Sequence, residues 1–437
     1  MRRQATPPPG AVHGGVDTGG EDFFPDFDNL PGVSRPSSLT PPSYAQPFYG
    51  TGEHVRTGGA LYVNQLNVGQ TPGVNFSYGE IIAMADLFAS VDQMQAASAD
   101  ELQAVRTEVQ RSLTHYSPGP MPRPEDPDTK DWGRVTGGRY LRLAEDNYNH
   151  FAPNVLFRSE AYASSASRHG DHKSAWESHH LRAIREVQAM NLGPGDALRT
   201  NWPLVINAFG DHFLTDAFAA GHIFNKAAIS GLFKANFYTG GKLTGAGEAF
   251  MKTVASKAFR GPLADKFSVL ETYEPYLLWW NPNINSASRF ADLLIGIANA
   301  EPEKIANLAV KVLHDKLNKG GIEVTNGLGA KPWLLTGDDH LTTTSLGYMQ
   351  AAVQASVANI LDPAIRVAGF VPGPHLAKVW AHVPVLTAAS ADWLRKLAPT
   401  LIHPGSGELA DAASNLLFKE VDELIKELLD RKILQKA

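Results

Sequence analysis

Asn207-Ala-Phe-Gly-Asp-His212-Phe-Leu-Thr-Asp216-Ala-Phe-Ala-Ala-Gly-His222 is the stretch on which the reading of this chain turns. Asp216 follows His212 by four residues, so both side chains leave one face of a helix. Leu204, Val205, Ala208, Phe209, Phe213, Ala217 and Phe218 make the remaining surface of that helix apolar, which predicts burial. A buried His, Asp and His are costly unless they are paired or bind a metal ion. Gly221 is expected to end the helix and turn His222 back toward the same place. On spacing alone, chance histidines on a satisfied helix remain the competing explanation.

Outward from this helix the chain reads as all-α. Helical periods are expected near 140–151, 172–191, 202–220, 246–257, 287–299, 302–318, 345–360, 387–398 and 408–434. A shorter period covers Tyr78 to Ala89, and Ser98 with Glu101 forms a capping-box pattern that opens a helix to about His115. Strand patterns are scarce: Gly321 to Thr325 and Trp333 to Leu335 could form one small hairpin. Residues 1–65 are rich in Pro, Gly, Ser and Thr and read as a disordered or wrapping arm. Residues 66–437 read as one helical domain.

Composition bounds the chemistry. The 437 residues carry 39 basic and 45 acidic side chains, a net charge of -6. That balance argues against affinity built on neutralising nucleic-acid phosphates, so no stable nucleic-acid partner is expected. The chain has no cysteine, which excludes disulfides, thiolate metal sites and a cysteine nucleophile; its 15 histidines are ample for an imidazole–carboxylate site. No GxSxG motif supports a serine-elbow lipase. No apolar run is long enough to span a membrane. The N-terminus lacks the apolar segment of a Sec-type signal, so cytoplasmic residence or a signal-independent export route is expected.

The pattern His-x3-Asp-x5-His at 212–222 resembles zinc-dependent bacterial phospholipase C and the related single-strand-specific zinc nucleases. Asp146-Asn-Tyr-Asn-His150-Phe, Asp216 to His222, and His314-Asp-Lys-Leu-Asn318 together look like a larger phosphatidylcholine-cleaving phospholipase C family of bacteria and fungi, over roughly residues 65 to 345. Tyr78-Gly79-Glu80 with Asp86 sits where that family has an early Asp-containing helix. The resemblance implies two or three zinc ions. His150 and His212 would share one with a bridging Asp216, while His222 and His314 would hold another, with Asn318 at a place where the compact enzymes have a carboxylate. Asp86 and Asp146 compete for the roles of acidic ligand and general base. The compact enzymes also use an N-terminal tryptophan, which this chain lacks, and the long interval between His222 and His314 implies a helical insertion at about 226–300.

The function implied is hydrolysis of a phospholipid at a membrane surface, releasing diacylglycerol and a phosphorylated headgroup. The alternatives are a single-strand-specific zinc nuclease and a non-catalytic, metal-bound helical binding module. Three further features carry weaker signals. His179-His180 read as a solvated pair or as donors behind the site. Asp338-Asp339-His340 reads as a surface turn. Pro275-Tyr-Leu-Leu-Trp-Trp-Asn281 reads as a core segment or a membrane-docking loop.

Overall fold

The computed structural model describes residues 51–59, 61, 65–70, 73–116, 124–163, 169–190, 201–272, 284–337, 341–419, 421–430, 432 and 434–436. Over these the protein is all-α, with only short strands between its helices. Two hydrophobic cores organise it. The first gathers Tyr78, Ile81, Ile82, Phe88, Trp176, Val205, Phe209, Leu214, Val353 and Ile360. The second gathers Phe224, Phe233, Phe237, Phe250, Leu294, Leu313, Leu397 and Leu416. The chain passes from one to the other within a single step, because Ala219 belongs to the first and Ala220 to the second.

Asn201–Asp216 is the central helix of the first core. Every residue from Pro203 to Asp216 is buried, as its nearly all-apolar surface requires. It packs against His172–Ala189 along its length, and also against Tyr78–Ile82 and Thr343–Leu361. The helix stops at Asp216, earlier than the expected 220. Ala219 turns extended (φ -105°, ψ 131°), and Ala220–His222 form one 3-10 turn. Gly221 does not end the helix with a left-handed residue, as its sequence position suggested. Its role is spatial, since a Cβ there would lie 2.5 Å from His314 Cδ2.

The expected arm contributes structure. Thr51–Gly59, inside the stretch assigned to 1–65, is a helix packed on Tyr78–Ile82 and Ala99–Tyr116. The packing is close because glycines face each other: a Cβ on Gly79 would run into the Val55 carbonyl, and one on Gly58 into the Gly79 backbone. Proline-rich composition hid this segment, although its own residues contain no proline. Residues 1–50 lie outside the described residues. Tyr78–Ile82 opens with a capping box in which Ser77 accepts from the Glu80 amide and Glu80 accepts from the Ser77 amide. It then tightens into a 3-10 turn, Ala83–Asp86.

In the second core Lys226–Phe237, Gly245–Ala258 and Ala287–Ala300 occupy the interval expected to be an insertion. They pack with Pro302–Gly320 and Gly407–Lys419, so this interval and C-terminal helices share one interior. The expected long C-terminal helix is divided into Gly407–Lys419 and Val421–Asp430, followed by the strand Leu434–Lys436. The anticipated hairpin is present: Ile322–Asn326 pairs antiparallel with Trp333–Leu335, Val324 opposite Trp333. A third strand, Pro384–Leu386, pairs on its other edge. The Trp279 and Trp280 segment and Asp338-Asp339-His340 lie outside the described residues.

Candidate metal centre

His212 and Asp216 leave the last turn of the central helix where the two cores meet, and four other segments close on them. The His212 Nδ1–H donates to the Ile82 carbonyl (3.0 Å), which turns Nε2 toward the cluster. That nitrogen faces Asp216 Oδ2 at 3.2 Å, Asp86 Oδ1 at 3.4 Å and His150 Nδ1 at 3.0 Å. His150, delivered by the 3-10 turn Tyr148–His150, also lies 3.0 Å from Asp216 Oδ2. The other carboxylate oxygen, Oδ1, faces His222 Nδ1 at 3.4 Å and His54 Nε2 at 3.9 Å.

The tautomer of His54 follows from its partner. The Thr215 hydroxyl donates its one proton to the His212 carbonyl (2.8 Å). It therefore accepts from His54 Nδ1–H (2.7 Å), and His54 Nε2 points a lone pair toward Asp216. Lone pairs aimed at carboxylate oxygens repel unless a cation, either a proton or a metal ion, lies between them.

Among the described residues two groups meet the distance requirement for a shared ion: His54, His212 and Asp216, and Asp86, His150 and His212, with the ligand atoms of each within 4.8 Å of one another. Asp216 Oδ2 and His222 Nδ1 are buried and make no hydrogen bond of good geometry, although His150 Nδ1 and His212 Nε2 lie 3.0 and 3.2 Å from Asp216 Oδ2. The buried His/Asp clusters can thus hold a metal ion.

Electrostatics point the same way. Burial pushes the Asp216 carboxyl up, but His212, His150 and His222 override it and hold it well below the usual carboxylate range. Burial likewise lowers His212, and the charges of Asp216 and Asp86 outweigh this to hold it well above an ordinary imidazole. Asp86 is pulled down to about 2 by His212, His150 and His54 against its desolvation. Without metal, the proton that His212 retains supplies positive charge beside Asp216 and Asp86.

A fully buried polar network stands behind the site. Asp211, beside His212 but on another face of the helix, accepts from Tyr78 Oη (2.7 Å), Trp176 Nε1 (3.0 Å) and Ser356 Oγ (2.7 Å). One carboxylate thereby ties three neighbouring helices to the one that carries His212 and Asp216. His180 joins through Asn207 Oδ1 (2.6 Å), so it is a core histidine behind the centre rather than half of a solvated pair. His179 donates to Ala175 O (2.9 Å) and packs against Phe209 and Phe213.

Of the residues expected from the sequence, His150, His212, Asp216, His222 and Asp86 come together. His314 lies beside His222, with ring centroids 5.0 Å apart, but its Nδ1 is turned to Asp315 (2.9 Å). Asn318 accepts from the Gly221 amide and faces His314 Nε2 with its NH2 group (3.2 Å), so the amide oxygen is already engaged within the protein.

Asp146 is not in the cluster. It ends the Arg139–Asp146 helix, exposed, with its charge felt at Lys226 and Tyr148. The helix stops at Asp146, and His150 stands on the 3-10 turn that follows, so the two residues do not share one helix face. His54 was missed by the sequence reading. The signal for it was a proline-free interval around Thr51 to Gly59 within a proline-rich stretch.

Comparison with protein-family models, with curated proteins and with solved structures gives no match for this chain. Among the described residues no helix is long and apolar enough to cross a membrane.

Proposed function

We propose that this protein is a zinc-dependent phosphodiester hydrolase of the phospholipase C type, cleaving a choline phospholipid to diacylglycerol and a phosphorylated headgroup. One observation carries the reading: both oxygens of the buried Asp216 face imidazole nitrogens, three of them within 3.4 Å and the His54 nitrogen at 3.9 Å, brought by segments far apart in sequence. Four imidazoles and two carboxylates, with no thiolate, form a donor set suited to zinc. Asp216, with imidazoles on both of its oxygens, would be the carboxylate shared between ions. Asp86, His150 and His212 would hold one ion, or His54, His212 and Asp216 would, with His222 facing Asp216 Oδ1 beside them.

When bound, such ions offset the charge of a phosphodiester and make water a competent nucleophile near neutral pH. The chain's own residues do the rest. Asp86 keeps a third of its side chain open to solvent; with Oδ1 turned to His212 and His150, its second oxygen would be the one left to orient or take a proton from attacking water. Phe213 against His150 and Phe151 against His222 keep bulk water from the inner face of the cluster. The net charge of -6 favours a lipid over a polyanionic strand as substrate.

The test is hydrolysis of a short-chain phosphatidylcholine beside single-stranded DNA, each with and without chelator. Diacylglycerol release that chelation abolishes and zinc restores is expected. Cleavage of DNA alone would replace this reading with the nuclease. Bound metal with neither activity would replace it with the binding module.

A further inference from the structure

We propose that His314 and Asn318 form a latch and not a metal position, so that the ions are held around Asp216 by His54, Asp86, His150, His212 and His222 alone. The proposal rests on the metal-centre reading above and narrows it. The two ends of the histidine cluster differ in how their polar atoms are used. Around Asp216, imidazole nitrogens of His150, His212 and His222 converge on the two carboxylate oxygens at 3.0, 3.2 and 3.4 Å, with that of His54 at 3.9 Å. At the other end, both nitrogens of His314 are engaged within the protein. Nδ1–H donates to Asp315 Oδ1 (2.9 Å), and Nε2 accepts from the Asn318 NH2 group (3.2 Å). Asp315 in turn receives Lys311 Nζ at 3.0 and 3.2 Å.

The amide of Asn318 is fixed in this sense. Its oxygen accepts from the Gly221 main-chain N–H, and a peptide N–H can only donate. Flipping the amide to aim its oxygen at an ion would set NH2 against N–H. In the fixed orientation the group beside His314 is a donor, with no lone pair for a metal. An ion at His314 would therefore have to break the Asn318 contact and gain only a neutral imidazole.

Packing explains what the pair does instead. The Asn318 main-chain carbonyl accepts from Gly337 N (3.2 Å), so one residue pins the Gly337 segment and the Gly221 turn. A Cβ on Gly221 would lie 2.6 Å from Asn318 Nδ2, and one on Gly337 2.5 Å from Asn318 Oδ1. The latch holds the Ala220–His222 turn at the angle that points His222 to Asp216.

The experiment counts ions by elemental analysis after dialysis against a weak chelator, for the wild type and for His314→Ala, His314→Gln and His212→Ala. His314→Gln keeps a group that can accept from Asn318, which guards against simple misfolding of the Ala variant. Both His314 variants are expected to hold the wild-type number of ions and to melt at lower temperature, whereas His212→Ala loses at least one ion. Loss of an ion from a cooperatively folded His314→Gln overturns the latch alone. A wild-type chain that holds no ion overturns the metal centre itself.

Discussion

At the scale of single residues, two aspartates that look alike in the sequence separate by position. Asp86 lies 3.4 Å from His212 Nε2, while Asp146 is exposed at a helix end. Asp86→Asn is expected to cut turnover by about two to four orders of magnitude, the scale of a lost acid–base group. Asp146→Asn should leave both turnover and bound metal unchanged. Steady-state rates on short-chain phosphatidylcholine, with metal counts for both variants, check this. Asp216→Ala should remove more than one ion per chain, because its two oxygens serve different imidazoles. Asp211 gives a stability test. Burial pushes its pKa up to about 7 from 3.8, against the donors Ser356, Tyr78 and Trp176 that lower it. Between those values the folded state keeps a proton that the unfolded chain releases, so this group's contribution to stability falls as pH rises from about 4 to 7. Asp211→Asn removes that slope. Its melting temperature relative to wild type should therefore be higher at pH 8 than at pH 5, whatever the constant cost of the altered network.

At the scale of elements, the centre depends on two helices that meet through glycine. Thr51–Gly59 reaches His212 only because Gly58 and Gly79 let the backbones touch. Gly79→Ala forces them apart, at about 1–3 kcal/mol for overpacking or more where the backbone itself must shift. The expected result is a lower melting temperature together with loss of the ion that His54 helps to hold. His54→Ala should lose the same ion with less cost in stability. A Gly79→Ala protein with full metal content would show that Thr51–Gly59 is not needed for the site. Ser77→Ala, which removes the cap of the neighbouring helix, should cost about 1 kcal/mol and leave the metal count intact.

At the scale of the whole molecule, five segments spread from Thr51 to His222 supply the candidate ligands, and they meet only in the folded state. Ion binding is therefore tied to folding, and a bound ion adds about 2.7 kcal/mol once free metal exceeds its dissociation constant by about a hundredfold. Chelation should lower the melting temperature. The sign of the pH dependence follows from His212, whose imidazole is held well above its ordinary range by Asp216 and Asp86 despite its burial. Metal must displace that proton, so affinity should weaken by about tenfold for each pH unit lowered while one proton is exchanged. Melting curves with and without chelator should then converge as pH falls from 8 to 6. Curves that stay equally separated would exclude proton–metal exchange at His212.

The sequence by itself determined the helical class and which helix face carries the His212–Asp216 pair of the candidate site. Periodicity and spacing are local properties: a four-residue interval puts His212 and Asp216 on one face, and an apolar surround buries them whatever else the chain does. Most helices, and the hairpin of Ile322–Asn326 with Trp333–Leu335, were legible for the same reason. What only the tertiary structure decided is which distant groups join that face. Nothing local says that His54, in a stretch that composition assigns to an arm, arrives through a contact between glycines. Nothing local says that Asp86 arrives and Asp146 does not, because the choice depends on how a 3-10 turn and a helix end are aimed. The orientation of the Asn318 amide was likewise invisible, being fixed by a main-chain N–H 97 residues away in sequence. Helix faces follow from the order of residues along the chain, whereas the meeting of those faces follows from which surfaces can pack without clash, and that is settled only when the whole chain has folded.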